Sequence, residues 1–458
     1  MTLHEKFRFS NIDELREKIA SLGVELDLCE DIAPLFKRVK IGSFQAPNAL
    51  AALPMEGCDS FADGSPSELV KRRYNRLSSG GAGLIWWEAC AVVPEGRANP
   101  NQMMLTPENS KQFSETLEAS MKLSSEALGA GNRCANILQL THSGRYSRPN
   151  SHKPEPIMPQ HDPILDPRVG ASAEQELASD EYLDSLIGRY AASAKLAKEV
   201  GFDGIDIKAC HRYLISELLA SRERPGKYGG SFENRTRLLR EAVLAVRREV
   251  GSDFIIACRF NVFDAHPYPY GFGQDASDMW TFNPEEPLAL AKMLRGAGVK
   301  LLSNSAGNPY YIYPQVTRPF DLSSEGIPVP NEHPLESVSR LFSFTKKIQE
   351  AVLDVPMAGN GYTWLRQFFP YAGAANLKSG GCRFVGLGRL SFAYPEAPRD
   401  LMQTGRLNPL RCCIACSKCT QLMRDHERTG CVARDSKIYA PIYFAARKEA
   451  AERAGTCK

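Results

Sequence analysis

No apolar run in the sequence approaches the roughly 18 residues that a membrane-spanning helix needs. The first segment, MTLHEKFRFSNIDELREKIASLGVEL, lacks the apolar core of a secretory signal peptide. There is also almost no excess charge, because 56 basic side chains are balanced by 53 acidic ones and the formal net charge is only +3. These absences argue against a membrane protein and against a nucleic-acid-binding protein, and we expect a cytoplasmic protein.

The even spread of cysteines that is typical of a disulfide framework is also missing, although the chain has 13 cysteines. Eight are scattered, whereas five lie within twenty residues: Cys412, Cys413, Cys416, Cys419 and Cys431. This distribution favours reduced thiols and one metal site. Four thiolates with the spacing C-x2-C-x2-C, eleven residues and a further C suit either zinc or an iron-sulfur cluster. Spacing alone does not choose between them, and the first ligand is either Cys412 or Cys413.

Eight short apolar runs alternate with charged, amphipathic segments along the chain. The runs are 50–55, 83–90, 135–140, 202–207, 254–260, 299–304, 355–358 and 384–387. This alternation predicts an α/β fold with a parallel barrel, although periodicity alone leaves a doubly wound open sheet as the alternative. Segments 67–79 and 107–128 are expected to be helices. The length of 458 residues suits one barrel of about 250 residues with large insertions.

The stretch 202–230 joins the fourth apolar run to the densest group of reactive side chains in the sequence. The run ends in a polar cluster made of Lys208, Cys210, His211, Arg212 and Tyr213. Active sites of α/β barrels lie at the C-terminal ends of the strands, so we expect this cluster to line the site.

The order of motifs through this stretch resembles the Old Yellow Enzyme family of FMN-dependent oxidoreductases. The motifs are D-G-x-[DE]-I at 203–207, H-x-Y-L-I at 211–215, Y-G-G-S at 228–231 and N-R-x-R at 234–237. The resemblance extends from about Phe36 to Cys431, and it implies a (β/α)8 TIM barrel rather than an open sheet. It also implies an ene-reductase, which transfers hydride from FMN N5 to the β-carbon of a small α,β-unsaturated carbonyl compound.

The resemblance also implies roles for the polar cluster. The residues that match the family's pair of carbonyl-binding side chains are Lys208 and His211, and Tyr213 matches the proton donor. The family usually has His or Asn where this chain has Lys208. That lysine is expected to stabilise a developing enolate by its charge, or to pair with Asp206 or with a substrate carboxylate.

Two glycine-containing turns predict a phosphate site for FMN. Gly359-Asn360-Gly361 follows the seventh run, and Gly386-Leu387-Gly388-Arg389 follows the eighth. Small residues allow backbone N–H groups to approach a phosphate, and Arg389 adds a positive charge. We therefore expect Asn360, Gly361, Gly388 and Arg389 to bind the cofactor.

The flavin ring requires a different set of residues. Arg259 ends the fifth run and can neutralise the charge that develops at N1 and O2 of a reduced flavin, and Gln139 can hydrogen-bond the pyrimidine edge. By resemblance, Pro54, Met55 and Ala89 line the ring.

Long connections follow the third, fifth and sixth runs, at the end where barrel active sites lie. Two of them are rich in aromatic residues, and some of these are expected to contact the substrate: Tyr268, Tyr270, Phe272, Trp280, Tyr310, Tyr311 and Tyr313. His142, after the third run, is expected either to orient its loop or to act in catalysis.

The cysteine-rich segment resembles the dienoyl-CoA reductase and trimethylamine dehydrogenase branch of the family, which carries a [4Fe-4S] cluster. By that resemblance Cys413, Cys416, Cys419 and Cys431 are the cluster ligands. We divide the chain into an N-terminal extension (1–35), an FMN-binding barrel (36–408) and an iron-sulfur segment (409–458). The extension is expected to pack on the outside of the barrel or on another subunit of a homo-oligomer.

The electron donor follows from one further absence. The branch continues into flavin- and nicotinamide-binding domains, but no G-x-G-x-x-G follows a strand in this chain. We expect electrons either directly from NAD(P)H or from a separate protein such as a ferredoxin or flavoprotein. Two other functions stay open from the sequence, namely oxidative dealkylation of an amine and an electron-transfer subunit of a larger complex.

Overall fold

The computed structural model describes residues 3–309 and 317–456. The described strands are β1 (Val39–Ile41), β2 (Phe44–Ala46), β3 (Leu50–Ala52), β4 (Leu84–Ala91), β5 (Ala135–Thr141), β6 (Gly204–Ile207), β7 (Ile255–Phe263), β8 (Leu301–Ala306), β9 (Met357–Gly359) and β10 (Phe384–Leu387). Strands β3 to β10 close into a barrel in chain order, and each pairs in parallel with the next. The predicted parallel barrel is therefore confirmed, and each predicted apolar run contributes one strand.

The described helices are α1 (Ile12–Leu22), α2 (Glu68–Ser79), α3 (Ser110–Leu128), α4 (Asp180–Val200), α5 (Leu214–Leu219), α6 (Phe232–Arg235), α7 (Arg237–Val250), α8 (Glu285–Gly296), α9 (Pro334–Ala351), α10 (Phe369–Lys378), α11 (Arg389–Ala393), α12 (Ala397–Thr404), α13 (Lys418–Arg424) and α14 (Ser436–Thr456). Helices α2 and α3 confirm the two amphipathic segments named above. Within the described ranges, none of the helices has the length and apolar character needed to cross a membrane.

The helical spacing of apolar residues explains how the outer layer covers the barrel. In α7, Leu239, Val243 and Val246 are fully buried, because residues three and four apart lie on one face of a helix. Ser67 caps the start of α2, where its hydroxyl oxygen accepts the Val70 N–H at 3.4 Å. Sequence periodicity thus fixes which face of each helix packs on the strands.

The β1–β2 hairpin closes one end of the barrel and is not marked by any pattern in the sequence. The two strands pair antiparallel, and Ile41 and Ala46 are fully buried. They belong to the same apolar cluster as Leu84, Ala135 and Leu301, which lie at the starts of barrel strands. Strands of three residues are too short to show a period of two, so this hairpin was not predicted.

The N-terminal extension packs on the outside of its own barrel. Leu15 of α1 is fully buried in an apolar cluster that also contains Trp364 and Cys413. The carboxylate of Asp321 accepts hydrogen bonds from Phe7 N at 3.2 Å and from Trp364 Nε1 at 2.8 Å. The backbone N–H of Asp321 also donates to Ala415 O at 3.0 Å. The extension, the loop after β8 and the cysteine-rich segment are thereby joined on one side of the barrel.

Candidate active site

A cavity opens at the C-terminal ends of the barrel strands. The predicted residues that line it are Pro54, Met55, Gln139, Lys208, His211, Tyr213, Arg259, Asn360, Gly361, Gly388 and Arg389. Sites for small molecules and cofactors are typically clefts of several hundred cubic ångströms with a few polar groups that converge. The structure thus brings the predicted phosphate, flavin and substrate residues together in one space.

Ala89 is the predicted cofactor residue that does not line this cavity. It lies in β4 and is fully buried. The pairing of β4 with β5 shifts register between Trp87 and Ala89, so Glu88 forms a bulge. Such a bulge interrupts the alternation of side chains along a strand, and the sequence does not show where it occurs.

Three arginines in the cavity have no carboxylate partner among the described residues. Buried nitrogens without a hydrogen-bond partner there include Arg259 Nε, Arg318 Nε and Arg389 Nη1. Burial, followed by the charges of Arg389 and Arg424, lowers the pKa of Arg318 to about 9. Buried cations are normally paired, so these donors fit an anionic ligand.

The same end of the cavity suits the phosphate and the ring of FMN. Gly361 has a φ of +98°, a conformation that favours glycine, and a Cβ on Gly388 would lie 3.5 Å from the Met55 sulfur. Exposed backbone beside Arg389 fits a phosphate, and the buried Nε of Arg259 fits the charged edge of a flavin. Sequence reasoning missed Arg318, because it lies in a loop without any recognisable motif.

The loop with the substrate residues is held in an unusual conformation. His211 and Arg212 have φ values of +67° and +59°. The backbone N–H of His211 donates to Asn261 Oδ1 at 3.2 Å, and Arg212 Nη1 donates to Asp264 Oδ2 at 3.0 Å. Positive φ values cost free energy in residues other than glycine, so surrounding contacts must fix the turn. These contacts direct the two neighbours of Arg212, His211 and Tyr213, towards the cavity.

Lys208 forms an ion pair that the sequence did not reveal. Its Nζ lies 3.0 Å from Glu56 Oε1 and 4.0 Å from the centroid of the Tyr213 ring. The Tyr213 hydroxyl donates to the same Glu56 oxygen at 3.5 Å. Glu56 lines the cavity, so it brings a carboxylate to the substrate residues. The signal available in the sequence was its place beside Pro54 and Met55 at the end of the first apolar run.

The alternative in which Lys208 pairs with Asp206 is wrong. Asp206 instead accepts hydrogen bonds from Gln139 Nε2 at 2.6 Å, Trp86 Nε1 at 2.9 Å and Arg259 N at 2.8 Å. Burial raises the pKa of Asp206 to about 6. Asp206 lies in β6, whereas Lys208 follows the end of that strand, so Asp206 is one layer deeper in the barrel, where it orients Gln139.

His211 is a neutral hydrogen-bonding group in this site. Burial, followed by the nearby charges of Lys208 and Arg259, lowers its pKa well below the ordinary value. Its Nε2 lies 3.0 Å from Ser305 Oγ. A neutral imidazole has one N–H donor and one acceptor nitrogen, so His211 can offer a hydrogen bond without changing charge.

His142 orients its loop and does not line the cavity. Its Nδ1 accepts the Gly144 N–H at 3.0 Å, and its Nε2 is 2.7 Å from the Tyr182 hydroxyl. Burial lowers its pKa to about 3.

Four of the loop aromatics that we expect to contact the substrate lie outside the cavity lining. Tyr268, Tyr270, Phe272 and Trp280 do not line the cavity. Tyr268 and Trp280 are exposed, and Phe272 is fully buried. Residues 310, 311 and 313, the remaining loop tyrosines, lie outside the described residues.

The four predicted cluster cysteines line one smaller cavity of about 320 Å³. They are Cys413, Cys416, Cys419 and Cys431. The sulfurs of Cys413 and Cys431 accept backbone N–H bonds at 3.4 and 3.3 Å. Burial raises the pKa of Cys413 to about 12; the charge of Arg389 opposes this shift and the neighbouring thiols add to it. Burial also raises the pKa of Cys431 to about 11.

Thiols dominate the polar lining of this cavity. In the described ranges, no three His, Cys, Asp or Glu side chains form a group that could hold one metal ion. Four thiols around a common space, two of which accept backbone N–H bonds, nevertheless match in number the one thiolate that each iron of a [4Fe-4S] group takes. Cys412 donates its thiol hydrogen to Asn408 O at 3.5 Å and is not part of this lining.

The two cavities adjoin each other, because Cys419 and Arg389 line both.

Residues 34–282 match the model of the NADH:flavin oxidoreductase / NADH oxidase family. The chain belongs to this family. The family-level prediction made from the motifs of the Old Yellow Enzyme type is therefore confirmed, and the chain carries its cavity where α/β barrels bind ligands.

Individual relatives in the family match most of the chain. The chain is 28% identical to an NADH oxidase from Thermoanaerobacter brockii over 84% of its own length and 52% of that protein. It is 25% identical to a cinnamate reductase from Clostridium sporogenes, over 87% of this chain and 57% of that protein. The chain therefore spans little more than half the length of these relatives.

The solved structure of a 2-naphthoyl-CoA reductase in complex with 2-naphthoyl-CoA has the same fold. The TM-score is 0.69 at 21% identity, over 88% of this chain and 57% of that one.

Proposed function

We propose that this oxidoreductase is an FMN- and iron-sulfur-dependent ene-reductase that reduces the C=C bond of an α,β-unsaturated carbonyl compound. The observation that carries the proposal is the convergence of Lys208, His211 and Tyr213 on the cavity that also contains the unpaired arginines. A proton donor and a hydrogen-bond donor thus share one space with a cradle for an anionic cofactor. The similarity to a protein named for cinnamate reduction supports this substrate class.

In this proposal the cofactor residues have separate roles. Arg389 and the backbone at Asn360, Gly361 and Gly388 hold the phosphate, and Arg259 and Gln139 contact the polar edge of the ring. Pro54 and Met55 supply an apolar wall, and Ala89 lies behind it in β4. Bound FMN in its reduced form supplies the hydride that adds to the β-carbon of the substrate.

His211 and Tyr213 act on the substrate. His211 is neutral, so it hydrogen-bonds the carbonyl oxygen and stabilises the enolate without supplying a proton. The Tyr213 hydroxyl gives its proton to the α-carbon, and solvent then reprotonates the phenolate that remains. Lys208 stabilises this phenolate, because its Nζ lies 4.0 Å from the centre of the ring. Glu56 holds Lys208 in place through the ion pair at 3.0 Å.

We also propose that Cys413, Cys416, Cys419 and Cys431 bind a [4Fe-4S] cluster. Such a cluster, when bound, passes one electron at a time. Cys419 lines both cavities, which supports a direct route between the cluster and the flavin site. A separate ferredoxin or flavoprotein would then be the donor to the cluster, and NAD(P)H is the alternative as a direct donor to the flavin.

The test uses the full chain, purified and reconstituted without oxygen. We expect about one FMN and about four irons per chain. After photochemical reduction, 2-cyclohexenone and cinnamaldehyde should reoxidise the flavin in a single turnover, whereas trimethylamine should not reduce the oxidised protein. Cys416→Ala should lose iron and keep FMN, because only the smaller cavity includes Cys416.

Three results would each contradict a different part of the proposal. Reduction by the amine together with inertness towards both alkenes would identify an amine dehydrogenase. Rapid electron transfer to a protein acceptor without any turnover of either substrate class would identify an electron-transfer subunit. Stoichiometric zinc after reconstitution with iron would show that the four cysteines do not bind an iron-sulfur cluster.

A further inference from the structure

Glu56 carries the one carboxylate among the described residues that line the active-site cavity. Four cationic side chains share that lining, namely Lys208, Arg259, Arg318 and Arg389. Residues 310–316, which lie outside the described ranges, contain no Asp, Glu, Lys, Arg or His. The cation that Glu56 neutralises therefore sets the charge that an incoming substrate meets.

That cation is Lys208, and the pair is largely closed to solvent. Lys208 Nζ lies 3.0 Å from Glu56 Oε1, and the two side chains are only 2% and 12% exposed. The same ammonium group lies over the Tyr213 ring, with Nζ 4.0 Å from the ring centroid. Little water is present to screen such an ion pair, so the attraction between its charges is strong. Lys208 is thus occupied before a substrate enters.

The backbone next to Glu56 is held from two sides. The Gly57 N–H donates to Glu88 Oε2 at 2.6 Å, and Gly57 O accepts the Thr429 N–H at 2.6 Å. Arg73 packs so closely on this glycine that a Cβ there would overlap its guanidinium group. Arg73 is itself paired with Glu88 at 2.6 Å. Glu56 is therefore a preorganised part of the site, placed to keep its contact with Lys208.

The three arginines of the lining have other roles. In the proposed function Arg389 holds the phosphate of FMN, and Arg259 contacts the polar edge of its ring. Burial and then the charge of Arg389 lower the pKa of Arg318 to about 9, which assigns Arg318 to the phosphate side as well. His211 is neutral. The substrate therefore meets hydrogen-bonding groups without an unpaired positive charge.

A free carboxylate on the substrate is unfavourable at this position. The Tyr213 hydroxyl, which gives its proton to the α-carbon in the proposed function, donates to Glu56 Oε1 at 3.5 Å. The α-carbon is bonded directly to the carbonyl carbon, so a carboxylate there would lie close to the Glu56 carboxylate. Two buried negative charges repel, and a buried carboxylate without its own cation also loses its hydration.

We propose that Glu56 determines the charge of the substrate: by neutralising Lys208 it admits an uncharged carbonyl compound, such as an aldehyde, ketone or amide, and excludes a free carboxylate. The assignment rests on the proposed function, because that function makes this cavity the place where the substrate reacts. Lys208 binds a substrate carboxylate, one of the alternatives left by the sequence, only when Glu56 is removed. Glu56 is thus a specificity-determining residue.

The first test measures binding to the oxidised, FMN-loaded protein, which does not reduce the ligand. trans-2-Hexenoate and trans-2-hexenamide have nearly the same shape and differ in charge at neutral pH. In calorimetric titrations the amide should bind roughly tenfold or more tightly than the carboxylate, because the carboxylate must bury an unpaired charge. Equal affinities, or tighter binding of the carboxylate, would overturn the proposal.

The variant that tests the residue is Glu56→Gln, which keeps the size of the side chain and frees Lys208. The preference for the amide should fall by roughly 10- to 100-fold, the range for one charge-assisted hydrogen bond to the carboxylate. Glu56→Gln combined with Lys208→Met should lose this gain, because the cation is gone. An unchanged preference in Glu56→Gln, or a gain that survives in the double variant, would contradict the proposal.

Two further variants complete the series. Glu249→Gln is the matched control, since it removes the same charge from an exposed position in α7 and should leave the preference unchanged. An equal effect of Glu249→Gln and Glu56→Gln would overturn the proposal. Lys208→Met alone decides the case in which Glu56→Gln does not fold. It leaves Glu56 unpaired, so the carboxylate should bind still more weakly, and unchanged or tighter binding would count against charge selection.

A single-turnover measurement separates this proposal from the proposed function. The photochemically reduced protein is mixed with trans-2-hexenal without oxygen, and reoxidation of the flavin is followed by absorbance. If the aldehyde does not reoxidise the flavin but Glu56→Gln changes the binding preference as expected, charge selection stands and the ene-reductase assignment fails. If the aldehyde reoxidises the flavin and the preference is the same in every variant, the ene-reductase assignment stands and charge selection fails.

Discussion

Two groups of buried arginines lie close together in this protein and differ in what neutralises them. In the first group, behind the loop of residues 211–213, Arg145 Nε lies 2.6 Å from Glu217 and Arg212 Nη1 lies 3.0 Å from Asp264. Asp162 also contacts Arg212, at 3.4 Å. In the active-site cavity, by contrast, no described carboxylate pairs with Arg259, Arg318 or Arg389.

The difference separates residues that hold the fold from residues that await a ligand. A buried ion pair makes a modest net contribution to stability, but loss of one partner leaves an uncompensated charge and is costly. An arginine whose buried nitrogens have no partner already bears that cost, and an anionic ligand removes it. The loop of residues 211–213 lies between the two groups, since Arg212 joins the paired network while its neighbours His211 and Tyr213 line the cavity.

The largest effect is expected on the cavity side of this loop. Tyr213→Phe removes one hydroxyl, so FMN content and substrate binding should remain. Reoxidation of the reduced flavin by 2-cyclohexenone should slow by roughly 10²- to 10⁴-fold, the range for loss of a general acid. Single-turnover absorbance measurements without oxygen give this rate directly. An unchanged rate would show that solvent, and not Tyr213, donates the proton.

Arg212→Met tests the paired side of the comparison. The change leaves Asp264, Asp162 and Glu217 without one of their cations, so the free energy of unfolding should fall by roughly 3–5 kcal/mol. Denaturant titration followed by tryptophan fluorescence measures the loss. The exposed Arg248→Gln should stay within about 0.5 kcal/mol of the wild type. Equal stability of both variants would show that the paired network does not hold the loop.

Arg389→Met tests the unpaired side. Here we expect a smaller effect, on the affinity for FMN rather than on the free energy of unfolding. Affinity for FMN should fall roughly 10- to 100-fold, because a charge-assisted bond to the phosphate is lost. The free energy of unfolding of the apoprotein should change by only about 1 kcal/mol, since within residues 3–309 and 317–456 the hydrogen bond that is lost is the one to Pro319 O at 2.5 Å. Flavin fluorescence during titration of the apoprotein gives the affinity. A large loss of stability with unchanged FMN binding would abolish the distinction between the two groups.

The barrel itself could be predicted from the sequence in some detail. Apolar runs and amphipathic helices repeat locally, so alternation along the chain fixes the number and order of the elements. Strand ends and glycine turns also reveal where a cavity forms, because the C-terminal ends of parallel strands meet at one face. The cavity lining therefore includes Gln139 of β5, Arg259 of β7 and Arg389 at the start of α11.

Other features of the site depend on contacts that leave no local pattern. The bulge at Glu88 removes Ala89 from the cavity lining, and a one-residue shift of register is invisible in a row of apolar residues. Arg318 enters the site from a loop after β8, where neither periodicity nor a motif marks it.

By itself, the sequence determined the family, the barrel and the cysteine spacing, because each is a pattern of residue types along the chain. Only the tertiary structure decided which charges neutralise each other. Lys208 pairs with Glu56, 152 positions away, although Asp206 is two positions away, because closure of the barrel brings the ends of β3 and β6 to one cavity. Coulomb interactions depend on distance in space and on burial, and a linear sequence records neither.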